Sequence, residues 1–302
     1  MMQNRIAYLR FIFAVLIFGT NGIVASYIAM SSSDIVFLRL MLGSAVLLAI
    51  FLILRKPFVC FGQPRDGAYI CVSGIAMGTS WLFLYEAYQQ IGVGASTLLY
   101  FIGPVIFLAL SPVVFGERLT PVRVAGFLCV IAGMYLVNEV LLSGSGNTWG
   151  VFCGLMSAVL LAVMLITNKK AASIRGFENA VLQLLIGFLT IAVMRVAFDG
   201  LTMIIPPDDI IPILFLGVFN TGIGCYLYFS TMCSLPAQSV AVLGYLEPLS
   251  AVVFSALILS EVLLPIQILG AALILGGAFV AEVFGGGGRM GEMAEMAENG
   301  KG

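Results

Sequence analysis

Histidine is absent from the 302 residues, and only 10% of them are charged. The first absence excludes a histidine proton relay and a His-based metal site. The second excludes an ordinary soluble domain, in which about a quarter of residues carry charge. Cysteine is present at positions 60, 71, 129, 153, 225 and 233, but never as a Cys-x-x-Cys pair. Most of the six lie in apolar runs, so they read as small core residues rather than disulfides or metal ligands. There is no GxxxxGK[ST] loop, and no connecting loop is long enough to house a nucleotide-binding domain. Nucleophiles and acids do not cluster, so no catalytic residue or cofactor is assigned and an enzyme is not expected. A formal net charge of −1 gives no basic surface for nucleic acid.

What the chain has is apolar length. It is 61% hydrophobic, and its runs of about 20 apolar residues are those of a polytopic, all-α membrane protein. The first run lacks a small-residue cleavage site and reads as a membrane span. Ten spans are expected, at 7–29, 35–54, 66–88, 94–114, 121–141, 149–169, 178–198, 209–231, 238–258 and 265–285. The tail, residues 286–302, is glycine-rich at its start and is expected to be flexible.

Basic residues fix an orientation. With the N-terminus inside, one face carries Arg5, Arg10, Arg55, Lys56, Arg65, Arg118, Arg123, Lys169, Lys170, Arg175, Arg289 and Lys301, twelve of the fourteen. Only Arg39 and Arg195 fall on the other. Both termini are therefore expected in the cytoplasm.

The chain also repeats. At an offset of 144 residues Pro104 aligns with Pro248, Ser111 with Ser255, Glu117 with Glu261, and Pro121 with Pro265. Gly43 aligns with Gly187, Gly78 with Gly222, Gly126 with Gly270, Gly133 with Gly277, and Asp34 with Glu178. Each half holds five spans, and five is odd, so the second half enters the membrane with opposite orientation. Inverted repeats are typical of secondary transporters, with the site near the midplane between the halves. The halves are residues 5–142 and 147–285.

The run GASTLLYFIGPVIFLALSPVVFGERLTPVRVAGFLCVIAGMYLV resembles the signature part of an EamA module. AQSVAVLGYLEPLSAVVFSALILSEVLLPIQILGAALILGGAFVAE resembles it again. Two such modules resemble the drug/metabolite transporter superfamily. The resemblance implies a basket of ten helices around a central cavity, lined by the first four helices of each repeat. It also implies transport of a small metabolite, and the Glu247-Pro248 pair matches a pattern common in second modules.

Glu247 is the leading candidate residue. A carboxylate at mid-membrane costs roughly 3 kcal/mol on insertion scales, which makes it a functional candidate by default. It is expected to bind a proton or a cationic substrate group; the alternative is a structural Glu bonded to backbone freed at Pro248. Position 103 is Gly, so the carboxylate is not duplicated. Pro104 and Pro248 should kink spans 4 and 9 beside Gly103 and Gly244, freeing the Tyr100 and Gly244 carbonyls. Trp81, Tyr85 and Tyr88 share one helix face. Trp81 and Tyr85 are cavity candidates, and Tyr88 is expected in the interfacial aromatic belt. Asn21, Asn220, Tyr100 and Tyr245 are further polar groups at depth, with helix packing as the bland reading of each. Arg39 could counter a substrate carboxylate, although snorkelling to the outer interface is the expectation at its depth. Glu117 and Glu261 are expected to cap the helices that begin at the prolines after them.

The function expected is a secondary active exporter of small polar metabolites such as amino acids. It would work by alternating access, proton-coupled through Glu247, as a multi-pass protein of a bacterial inner membrane. Its partners would be the substrate, the lipid bilayer and protons, and a monomer would suffice. An importer of an organic cation or amine is the alternative, and a passive channel the next.

Overall fold

The computed structural model describes residues 2–116, 120–142, 148–198, 200, 202–232, 234–258 and 265–284. Glu117, Glu261, Cys233 and the tail lie outside these. All regular structure among the described residues is helical. In chain order the helices are α1 (Met2–Phe18), α2 (Asn21–Ser26), α3 (Ser32–Ile53), α4 (Pro64–Ile91), α5 (Val93–Tyr100), α6 (Ile102–Phe115) and α7 (Pro121–Leu142). Then come α8 (Thr148–Lys170), α9 (Gly176–Phe198), α10 (Ile210–Leu214), a π-helix (Phe215–Gly224), α11 (Cys225–Met232), α12 (Ala237–Gly244), α13 (Leu246–Ile258) and α14 (Pro265–Val283).

Among the described residues six helical runs are long and apolar enough to cross a membrane: Arg5–Ser26, Ser32–Ile53, Pro64–Ile91, Thr148–Lys170, Gly176–Phe198 and Pro207–Met232. Two others, α5 with α6 and α12 with α13, are each divided by one residue. The divisions fall at Phe101 and Tyr245, three residues before Pro104 and Pro248. Each proline lacks the amide that would hold the carbonyl four residues back, so the helix ends where that bond is missing. Two further departures have no proline. Gly19 and Thr20 separate α1 from α2, and a π-turn interrupts the run from Ile210 to Met232.

Packing follows the glycines. α4 lies against α8 and α9, while the segment from Phe215 to Met232 lies against α1 and α3. A Cβ added at Gly78 would stand 2.8 Å from the Gly187 carbonyl oxygen. Across the protein, a Cβ added at Gly222 would stand 3.9 Å from the Gly43 Cα, an ordinary contact. α7 and α14 pack on each other along their length. There a Cβ at Gly133 would stand 2.5 Å from the Gly270 carbonyl oxygen, and one at Gly277 the same 2.5 Å from that of Gly126. Small residues at these crossings let backbones meet where there is no hydrophobic effect to draw helices together. Two loops close alike. The Ala29 amide donates to Asp209 at 3.0 Å, and the Ser173 amide to Asp66 at 2.8 Å.

The interior is built from Phe11, Val36, Leu40, Met77, Leu165 and Leu184, all fully or nearly fully buried. Leu9, Phe13, Leu52, Ile53, Leu128, Val193 and Leu269 point outward, as expected of a surface that meets lipid. The cysteines divide the same way. Cys153 and Cys225 are buried core residues, but Cys71 and Cys129 are exposed, so apolar runs carry them to the outer surface as well.

Gly277→Ala should push α14 off the Gly126 carbonyl and lower stability by about 1–3 kcal/mol. Gly276→Ala, with no atom within 4 Å of its added Cβ, should leave stability unchanged or slightly raised. Thermal unfolding of the two variants in detergent compares them directly. Equal midpoints would mean that the α7–α14 contact does not depend on these glycines.

Candidate functional site

The four departures from regular helix converge on one cavity. Phe18 and Asn21 reach it from either side of the α1–α2 break, Tyr100, Phe101 and Pro104 from the α5–α6 break, and Gly244 and Glu247 from the α12–α13 break. Cys225 follows the π-helix, with Tyr228 and Phe229 beyond it. α4 supplies Trp81, Leu84, Tyr85 and Tyr88, and α3 supplies Arg39. Leu161, Met164 and Leu165 of α8 make the apolar wall. The space enclosed, its mouth included, is about 770 Å³.

Hydroxyls bond three backbone carbonyls at these interruptions. Thr20 Oγ1 donates to the Ile17 carbonyl at 2.7 Å. Thr221 Oγ1 donates to the Leu216 carbonyl, five residues back in the π-turn, at 2.8 Å. Tyr245 donates from its hydroxyl to the Phe101 carbonyl at 2.8 Å. Buried backbone groups without such partners would be costly.

Arg39 does not snorkel to the interface. Its side chain is 2% exposed. Nε donates to Thr221 Oγ1 at 3.0 Å and Nη1 to the Tyr85 hydroxyl at 2.6 Å. The guanidinium carbon lies 4.0 Å from the centre of the Trp81 ring. Two acceptors and an aromatic face, all from other helices, hold the cation inside where its own helix position suggested escape. Nη2 is buried and has no partner among the described residues. Tyr88 is likewise a cavity residue rather than part of an interfacial belt, because it follows Trp81 and Tyr85 around the same face of α4.

Glu247 lies in the first turn of α13, where the free amide end of a helix complements a carboxylate. Its side chain accepts no hydrogen bond from any described residue. Among the described residues the one ion pair within 4.0 Å joins Arg195 to Asp34. Arg39 and Glu247 thus face one cavity without touching.

The other candidates lie close by. Asn220 is fully buried and donates to Asn21 Oδ1 at 2.9 Å and to Thr20 Oγ1 at 2.8 Å, while its own Oδ1 has no partner. Tyr245 is fully buried behind the cavity and Pro248 is buried beside it. Gly103 lets its helix approach α8, since a Cβ there would stand 2.8 Å from the Ala158 carbonyl oxygen. Thr221, which the sequence reading passed over, is the residue that holds Arg39 from the far side. A regular helix gives no hint of it, because the π-turn sets its direction.

The sequence matches the EamA-like transporter family twice, over residues 5–139 and 148–282. An uncharacterised transporter of Bacillus subtilis, YxxF, is 22% identical over 83% of this chain and 81% of its own length. The uncharacterised inner membrane transporter YhbE of Escherichia coli is 24% identical over 76% of this chain and 73% of its own length. A solved crystal structure superposes with a TM-score of 0.78 at 22% identity, covering 92% of this chain and 98% of that one. It shares the fold.

Tyr85→Phe and Thr221→Val each take one acceptor from a buried guanidinium. Each should lower stability by about 1.5–3 kcal/mol, and the two should not add because they share one partner. Thr79→Val removes an exposed hydroxyl that bonds only its own helix and should change little. Melting curves of the four proteins, the double variant included, test this. A Tyr85→Phe midpoint equal to that of Thr79→Val would show that Arg39 does not rely on Tyr85.

Proposed function

Because the chain belongs to the EamA-like transporter family, we propose that it is a secondary active carrier exporting small polar metabolites such as amino acids across a bacterial inner membrane. In this reading ten helices cross the membrane as two inverted repeats, residues 5–142 and 147–285, with both termini in the cytoplasm. α5 with α6 forms one span and α12 with α13 another. The protein works as a monomer, and residues 286–302 are an appendage to it.

The observation that carries this reading is Glu247, a carboxylate with no partner among the described residues, in the cavity where the broken helices meet. An intramembrane acid with no structural partner is placed to exchange a ligand. Supporting the inverted repeat, positions 144 residues apart exchange contacts: Gly133 meets Gly270 as Gly277 meets Gly126, and Gly78 meets Gly187 as Gly222 meets Gly43. Supporting alternation, α6 packs on α12, whereas their continuations α5 and α13 have no comparable contact. The cavity is then closed on the side of α6 and α12 and widens toward α5 and α13. Rocking of the halves would reverse this. Glu247 holds a proton in one orientation and a substrate ammonium in the other, so that uptake of protons drives export of substrate.

An importer of an organic cation or amine is the second reading. It is favoured by the same carboxylate together with Tyr88, Tyr100 and Tyr228, whose faces suit an ammonium group.

Purified protein in liposomes loaded with a pH-sensitive dye tests the coupling. Amino acids and amines are supplied one at a time and proton movement is followed. The wild type should move protons with its substrate, and Glu247→Gln should exchange substrate without them. Proton movement by Glu247→Gln equal to wild type would remove Glu247 from the coupling and leave the carrier fold intact.

A further inference from the structure

Arg39 has three guanidinium nitrogens, and two are committed. Thr221 and Tyr85 hold Nε and Nη1 in place, and the Trp81 ring lies over the group. Nη2 is left as a buried, charged donor with no acceptor among the described residues. A buried donor of this kind is costly to leave unmet. Glu247, the carboxylate that lines the same cavity, does not meet it within 4.0 Å. Two opposite charges that face one space without pairing carry the desolvation cost of each and gain little from the other. The arrangement becomes favourable when a third group lies between them and presents an anion to one side and a cation to the other.

We propose that Arg39 Nη2 is the docking point for one carboxylate oxygen of the transported substrate, which is therefore a zwitterion rather than a simple amine. This rests on the carrier reading above and narrows it. One free nitrogen suits a single carboxylate oxygen; a phosphate would call for more than one cation or a two-pronged guanidinium face, and Nε and Nη1 are occupied. The substrate ammonium turns toward Glu247, and the rest of the molecule lies against Tyr88, Tyr100 and the apolar wall of α8. Trp81, stacked on the guanidinium, shifts as the carboxylate arrives.

That shift is measurable because the chain has only two tryptophans. Trp149 is exposed, bonded to Glu86 and stacked on Phe152, away from the cavity. In Trp149→Phe protein, Trp81 is the sole indole. The twenty L-amino acids are titrated against it, each beside the amine that lacks its carboxylate. The expected result is an emission change with at least one amino acid and none with its amine. Arg39→Gln on the same background should weaken that amino acid at least about tenfold, and Arg39→Lys should restore part of the loss. Where Arg39→Gln does not fold, the comparison of amino acid with amine on the folded protein decides. An amine that binds as tightly as its amino acid, or binding that survives Arg39→Gln unchanged, overturns the proposal. Flux in the liposomes separates this from failure of the carrier reading. Amine flux without amino acid flux sinks the zwitterion and keeps the carrier. Absence of flux with every compound sinks both.

Discussion

Inside a bilayer a backbone carbonyl that loses its helical partner has no water to turn to. The architecture of this protein depends on where it lets that happen. The helices are interrupted between α1 and α2, between α5 and α6, in the π-turn and between α12 and α13. All four interruptions border the same cavity, and hydroxyls of Thr20, Thr221 and Tyr245 take up carbonyls there. Elsewhere α3, α4, α8 and α9 run unbroken and pack through glycine contacts. Among the described residues, the interruptions of the long helices are thus gathered at one cavity, and the unbroken helices form the frame around it.

The same confinement explains the handling of charge. Arg39 would be expelled from a plain helical bundle. Here Thr221 reaches it because a π-turn redirects that side chain, and Tyr85 and Trp81 reach it because they share a face of α4. A backbone irregularity on one helix thereby settles the position of a cation on another. Arg195 is a contrasting case. It is buried against Asp34 and the Thr202 carbonyl and so is spent on structure.

Much of this could be read from the chain. Prolines at matched positions foretold the breaks at Phe101 and Tyr245, because loss of an amide is a local event. The matched glycines were legible as a repeat, and the structure shows that they also mark helix crossings. Trp81 and Tyr85 were legible from helical spacing alone. The α1–α2 break and the π-turn were not, since no proline marks them and both follow from contacts with distant residues. Gly19 packs on Ser250, and Asn220 bonds Asn21. Arg39 was misjudged for a related reason. Its depth is a local property, but the acceptors that keep it inside lie 46 and 182 residues away along the chain.

Tyr245 and Phe101 stand 144 residues apart and touch each other. If the chain is two inverted halves, as proposed above, a position that meets its own repeat mate lies on the axis that would swap them. On that axis a pair of identical copies would have to offer the same side chain twice. The charges obey the same arithmetic: Arg39 corresponds to Gln183, and Glu247 to Gly103. A symmetric dimer of the first half would face arginine with arginine, and one of the second half would face glutamate with glutamate. Neither could make a dipolar site. On that reading, joining two unlike halves in one chain is what lets Arg39 and Glu247, which have no charged repeat mates, line the same cavity.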